Sequence, residues 1–277
     1  MKIYKVINNN MVSIYNGDGQ EVMLKGLSIG FNKKPGDFVD ESKIEKKFVL
    51  ENQQLIRQFD SIVMSLDKNV VDACIDVISD IKKHSKVELA DSIYVTIVDH
   101  INNLIDRMNE GIKFDNSILW DLKRIYSDEF VLAKNAIAEL NQRLTYELPD
   151  DEANFITLHI VNAEKSRSMN ETYKITDCIG DICAIVKSEL PLDVSDEDYY
   201  YNRFIMHLRF MLENQGNRMQ GVHKRNNIML QSMVVLYPVI WQAVEKIVSY
   251  VKANLNWDLS NDEKLYLIIH LVQIFHR

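Results

Sequence analysis

The sequence predicts a small all-β N-terminal module, built as an antiparallel sheet, followed by two all-α helical-bundle domains in tandem. Three observations predict this. Apolar residues alternate with period two over the first 50 positions and with a period near 3.6 afterwards. Five of the nine glycines, at 17, 19, 26, 30 and 36, lie in the first 36 positions. The helical part also repeats itself at an offset of 111 residues. Leu148, Glu152, Leu158 and His159 match Leu259, Glu263, Ile269 and His270.

The strands come first. KIYKV, MVSIY and EVMLK alternate, with turn signals at NNN (8–10) and NGDG (16–19), and KKFVL (46–50) reads as a further strand. A module of this size buries too little surface to be stable alone, and dimerisation through its apolar face would remedy that. Helices are expected over 68–85, 88–107, 116–141, 150–164, 171–189, 196–214, 227–254 and 261–276. Breaks fall at Gly111, Pro149, Pro191 and the stretch from Gly216 to Gly221. Pro149 suits a first turn, and Ser260 with Glu263 suits a capping box. The middle of the repeat aligns at the same offset, Leu119 with Leu230, Tyr126 with Tyr237 and Phe130 with Trp241. Four helices followed by four gives a module at 1–55, a linker at 56–64, and bundles at 65–170 and 171–277.

Composition narrows the classes. A hydrophobic fraction of 47% supports a globular protein with its own cores. Cys74, Cys178 and Cys183 have neither metal nor redox spacing, which suits a reducing, cytoplasmic setting. No apolar run reaches the roughly 18 residues of a membrane span, so stable membrane insertion is not expected. The formal charge of −8 is uneven: residues 1–55 carry 8 lysines and 7 acids, and the remainder carries 24 basic and 33 acidic residues. The N-terminal part is therefore a separate electrostatic object.

Each helical repeat carries two histidines on apolar faces, His100 and His159, then His207 and His270. His84, His223 and His276 have no counterpart and read as surface residues. Three readings stand. The four are hydrogen-bonded core residues. Or they bind a metal, with Asp99 as a further ligand, in an all-helical metal-dependent phosphohydrolase with a β appendage. Against this, adjacent His-Asp is missing: the order here is Asp99-His100, and His207 follows Met206. Or they accept phosphoryl groups, since imidazole is a nucleophile near neutral pH with a pKa of about 6.5. A phosphate at a helix contact would then be a large electrostatic switch.

The N-terminal module offers Lys5, the asparagines 8–10 and Phe31 in the glycine-rich segment GLSIGFNKKPGD. Its net charge of +1 is too small for strong non-specific binding to nucleic acid. Stacking and polar readout of an RNA loop or bulge remain open to it. The alternative is that Phe31 is core and the asparagines only make the turn. DNA binding is disfavoured, because strands and glycines stand where a recognition helix would be needed.

Over its whole length the chain resembles the BglG/LicT/SacY transcriptional antiterminators. KVINNN (5–10), GFNKKPGD (30–37), DSIYVTIVDHIN (91–102), ILW (118–120) with Tyr126 and Glu129-Phe130, and DEANFITLHIVNAE (151–164) carry the resemblance. It implies a dimeric co-antiterminator RNA-binding domain followed by two PTS-regulation domains, with no catalytic residue and no cofactor. By resemblance Lys5, Asn10, Gly26 and Phe31 contact an mRNA leader hairpin that overlaps a terminator upstream of sugar-utilisation genes. His100, His159, His207 and His270 would be phosphorylated, with the sugar permease IIB domain inhibiting through the first regulatory domain. The phosphocarrier HPr would activate through the second. Two departures stand out. Leu27 replaces a basic residue and removes a phosphate or base contact. Gln273 stands where the family has an arginine, which weakens the second domain's hold on a phosphate.

Overall fold

A computed structural model describes residues 1–50, 53–112, 122–165, 169–191, 198–214 and 224–275. His223, His276, the ILW segment and the Gly216–Gly221 break lie outside these residues. The described chain forms two units, Met1–Ser117 with Asp128–Met169, and Ile118–Ser127 with Asn170–Arg277.

The first unit opens with strands β1 (Ile3–Asn8), β2 (Met11–Tyr15), β3 (Glu21–Lys25) and β4 (Lys46–Val49), an antiparallel sheet in that order. Their turns are side-chain driven. Asn8 Oδ1 accepts from the Asn10 amide at 2.8 Å, and Asn16 Oδ1 accepts from Asp18 and Gln20. Alternation then sorts the side chains. Ile3, Val12, Ile14, Val22 and Leu24 bury one face under the 26–39 loop, with Ile29 and Val39.

Met11, Met23 and Phe48 belong to the other face, and they join the core of the helices that follow. Phe48 stacks on Tyr94 at 4.4 Å and meets Phe59 edge-on at 5.6 Å. The apolar face expected to pair with a second copy is thus covered in cis. The expected linker is not a free connector either. Residues 56–64 lie inside helix α1 (Gln53–Ser65), because Ile56, Phe59, Ile62 and Val63 recur at helical spacing and are all buried.

Helices α2 (Lys68–His84), α3 (Ser92–Glu110), α5 (Ser127–Arg143) and α6 (Glu152–Lys165) complete the first unit. Asp67 caps α2 by accepting from the Asn69 amide, and Gly111 ends α3 at φ 69°. The helix expected over 116–141 is interrupted. Its described part is a short α4 (Leu122–Ile125) followed by α5, and α4 belongs to the second unit, packed on α8 (Tyr199–Glu213). There the Arg209 guanidinium lies 4.2 Å from the Tyr126 ring centroid and donates to the Ile125 carbonyl.

The second unit adds α7 (Met169–Glu189), α9 (Lys224–Leu236), α10 (Pro238–Leu255) and α11 (Asn261–Phe275). The single helix expected over 227–254 is two, bent by 118° at Tyr237–Pro238. Proline at the first position of α10 has no N–H for the preceding turn, so the α9 hydrogen-bond ladder ends there. No single helix among the described residues is long and apolar enough to cross a membrane.

Candidate RNA interface and histidine pairs

The β1–β2 turn and the loop after β3 form one assembly. Asn10 is buried and braces it: its carbonyl accepts from the Gly26 amide at 2.9 Å, and its Oδ1 accepts from the Ser28 amide at 3.0 Å. Ser28 holds φ at 56° there. Only glycine fits at 26, because a Cβ would stand 1.7 Å from the Lys43 carbonyl oxygen. The loop then presents Leu27 and Phe31 outward, with Phe31 55% exposed. Phe31 is therefore not core; its ring is available for stacking. Three of the four residues expected to meet RNA thus come together. Lys5, on β1, points to Asp60 of α1 and is ion-paired with it.

The four helical histidines form two pairs, one in each repeat. His100 on α3 and His159 on α6 have ring centroids 5.2 Å apart. His207 on α8 and His270 on α11 stack at 4.4 Å. Each pair has an aromatic neighbour at the repeat-equivalent position, Phe155 at 5.5 Å from His100 and Tyr266 at 5.6 Å from His207. Apolar packing pushes His159 down to about 3, with a smaller contribution from His100. His270 falls to about 4 through burial, then through His207 and Arg203. His207 is lowered by burial and by Arg203. Those three rings are neutral near pH 7 and keep a nitrogen lone pair for chemistry.

The two pairs differ in their polar partners. His100 Nε2 donates to Glu152 Oε2 at 2.8 Å, and Arg107 approaches the other oxygen at 3.7 Å. Glu263, the repeat partner of Glu152, does something else. Its carboxylate accepts from the Ser260 amide at 2.6 Å while Ser260 Oγ accepts from the Glu263 amide, the capping box the sequence predicts. The residue matching Ser260 is Pro149, which has no N–H to give. Glu152 is therefore free to reach across to His100. In the second pair the charge is reversed: Arg203 Nε donates to His207 Nε2 at 3.4 Å. Gln273 is exposed, and Arg203 is the cation near the pair. Sequence reasoning missed Glu152, Arg107, Arg203 and Tyr266. Signals were there for three of them: Arg203 stands one turn before His207, Tyr266 one turn before His270, and Glu152 matches Glu263 in the repeat. Among the described residues no three His, Cys, Asp or Glu side chains converge to hold a metal ion.

The chain thus joins a sheet module with an outward aromatic loop to helical bundles with repeated histidine pairs. Comparison with known proteins places it. Residues 1–56 match the CAT RNA binding domain, and residues 75–163 and 180–274 match the PRD domain. The chain is 36% identical to transcription antiterminator LicT of Bacillus subtilis (strain 168), across 99% of both chains. It is 31% identical to the beta-glucoside operon antiterminator of Dickeya chrysanthemi, across 99% of this chain and 96% of that one. The crystal structure of GlcT CAT-PRDI superimposes with a TM-score of 0.52 at 32% identity, covering 59% of this chain and 97% of that one. The chain belongs to the BglG/LicT family of transcription antiterminators.

Proposed function

We propose that this chain, as a homodimer, binds a hairpin in an mRNA leader and prevents formation of an overlapping terminator upstream of sugar-utilisation genes. Residues 1–55 are the RNA-binding module, and 65–170 and 171–277 are the regulatory domains. Phe31 stacks on an unpaired base, Lys5 and Asn10 supply polar contacts, and Gly26 lets the loop pass close to the backbone. His100 and His159 receive phosphate from a sugar permease IIB domain, and His207 and His270 from HPr. The protein acts by binding and not by catalysis.

The observation that carries this reading is the histidine pair built twice, on equivalent helices, downstream of a module with an exposed stacking ring. Filler histidines would not recur as facing pairs with an aromatic neighbour at the equivalent position. A metal-dependent phosphohydrolase draws no support from the site, since its ligand set does not converge among the described residues.

The test is a titration of the full chain against the leader hairpin next to its own gene, with a scrambled hairpin as control. The full chain is used because removing the helices would expose Met11, Met23 and Phe48. Specific binding at two protomers per RNA, weakened by Phe31→Ala, is expected. Equal binding to both hairpins would sink the reading.

A further inference from the structure

The polar groups assigned to RNA are not free. Lys5 is ion-paired with Asp60 of α1. Asn10 Nδ2 donates to Asp72 Oδ2 of α2 at 3.0 Å. Lys25 Nζ, next to Gly26, donates to Asp76 Oδ1 at 2.7 Å and to the Asp72 carbonyl at 3.3 Å. Lys46 on the neighbouring strand also reaches Asp76, at 3.0 Å. Asp72 and Asp76 are one turn apart, so both carboxylates lie on one face of α2. Lys25 is only 4% exposed, which lysine tolerates only when paired.

We propose that Asp60, Asp72 and Asp76 form an acidic docking surface for the chain's own RNA-binding face, so that the first bundle and RNA compete for the same side chains. The inference rests on the reading that Lys5 and Asn10 contact RNA. Carboxylate oxygens take the lysine and amide donors that phosphate and base oxygens would otherwise take. The module carries a net charge of only +1, so engaging Lys5 and Lys25 removes most of its attraction for a polyanion. The stacking ring stays outside the contact, since Phe31 is exposed. The contact is also built to open. Among the described residues, Asp60 Oδ1 is buried with no hydrogen-bond partner and Asp72 Oδ1 has only the Lys25 ammonium at 3.8 Å, which adds to the cost of the docked state.

The test compares the full chain with an Asp60→Asn/Asp72→Asn/Asp76→Asn variant. A control carries the same charge change at three exposed acids, Glu147→Gln/Asp150→Asn/Asp151→Asn. Two readouts are taken: affinity for the leader hairpin, and the acetylation rate of Lys5 and Lys25 without RNA, with exposed Lys34 as reference. Docking predicts faster acetylation of Lys5 and Lys25 and about tenfold tighter RNA binding in the triple variant only, because the competent fraction rises. If the triple variant does not fold, Asp60→Asn alone must speed acetylation at Lys5. Unchanged acetylation and affinity, with Lys5→Ala still weakening RNA binding, would overturn the docking and leave the RNA face intact. Faster acetylation with RNA affinity untouched by Lys5→Ala or Asn10→Ala would overturn the competition, because the RNA face would then lie elsewhere.

Discussion

His100 Nε2 lies 2.8 Å from Glu152 Oε2, while the repeat-equivalent His207 Nε2 lies 3.4 Å from the Arg203 guanidinium. Two copies of one helical frame thus hold their histidines against opposite charges. Under the proposed phosphorylation, a phosphate on His100 would carry its charge near a carboxylate, and one on His207 would sit near a cation.

Replacing Glu152 with glutamine should separate these roles. Removing the repulsive charge is expected to raise phosphohistidine occupancy at His100 with a phosphorylated donor protein. The same change should lower stability by about 1–3 kcal/mol, because Glu152 is buried and its charged hydrogen bond is weakened. Phosphopeptide mapping and thermal melts check the two halves. Unaltered occupancy would mean that Glu152 does not guard the site.

Arg203→Gln should act in the opposite sense on the second pair. Burial is the larger reason that His207 is lowered, and Arg203 the smaller. Without the guanidinium the His207 pKa should rise part of the way toward about 6.5, and phosphate transfer to it should slow. NMR titration of the imidazole carbons reads the first effect, and an acid-labile phosphate assay the second.

Acid should destabilise the protein through His159 and His270. Their folded-state values, about 3 and about 4, lie below the unfolded value. The unfolded chain therefore binds more protons as pH falls, and stability rises with pH in this window. Their contribution is complete above about pH 6.5 and is lost progressively toward pH 4, with a slope of up to roughly 1.4 kcal/mol per pH unit for each ring. Denaturant melts of His159→Gln from pH 7.5 to 5 should show a shallower fall than the parent chain. Parallel curves would refute the assignment for that ring.

At position 26 the effect of a methyl group should be local and severe. Gly26→Ala places Cβ against the Lys43 carbonyl, and the resulting overpacking should cost about 1–3 kcal/mol. The loop carrying Leu27 and Phe31 must shift, so RNA affinity should fall with stability. Retained affinity with lowered stability would show that the loop's position does not matter for binding.

Much of this architecture was legible in the chain. The period-two and period-3.6 patterns are local signals, and they located the four strands and most helices. Repetition, at offsets of 111 for His159 and His270 and 107 for His100 and His207, placed two histidines in each bundle, and the structure brings each two within ring contact. The misses have local causes as well. Pro238 divides a helix that the apolar period alone runs straight through. Residues 56–64 follow the glycine-rich module and read as a connector, but their apolar spacing is helical once there is a sheet to bury it.

What the sequence by itself determined is the set of elements, the duplication and the four histidines, because each depends on residues a few positions apart or on a recurring pattern. Only the tertiary structure decided what those residues face. Lys5 and Asp60 are 55 residues apart, and Asn10 and Asp72 are 62 apart; their meeting follows from the sheet docking on α1 and α2 through Phe48, Phe59 and Tyr94. The same holds for Glu152 and Glu263, identical in the repeat yet opposite in role. An amide proton at Ser260 holds one at its own helix start, and its absence at Pro149 leaves the other for His100. Pattern records which residue occurs; packing selects which of its possible partners lies within reach.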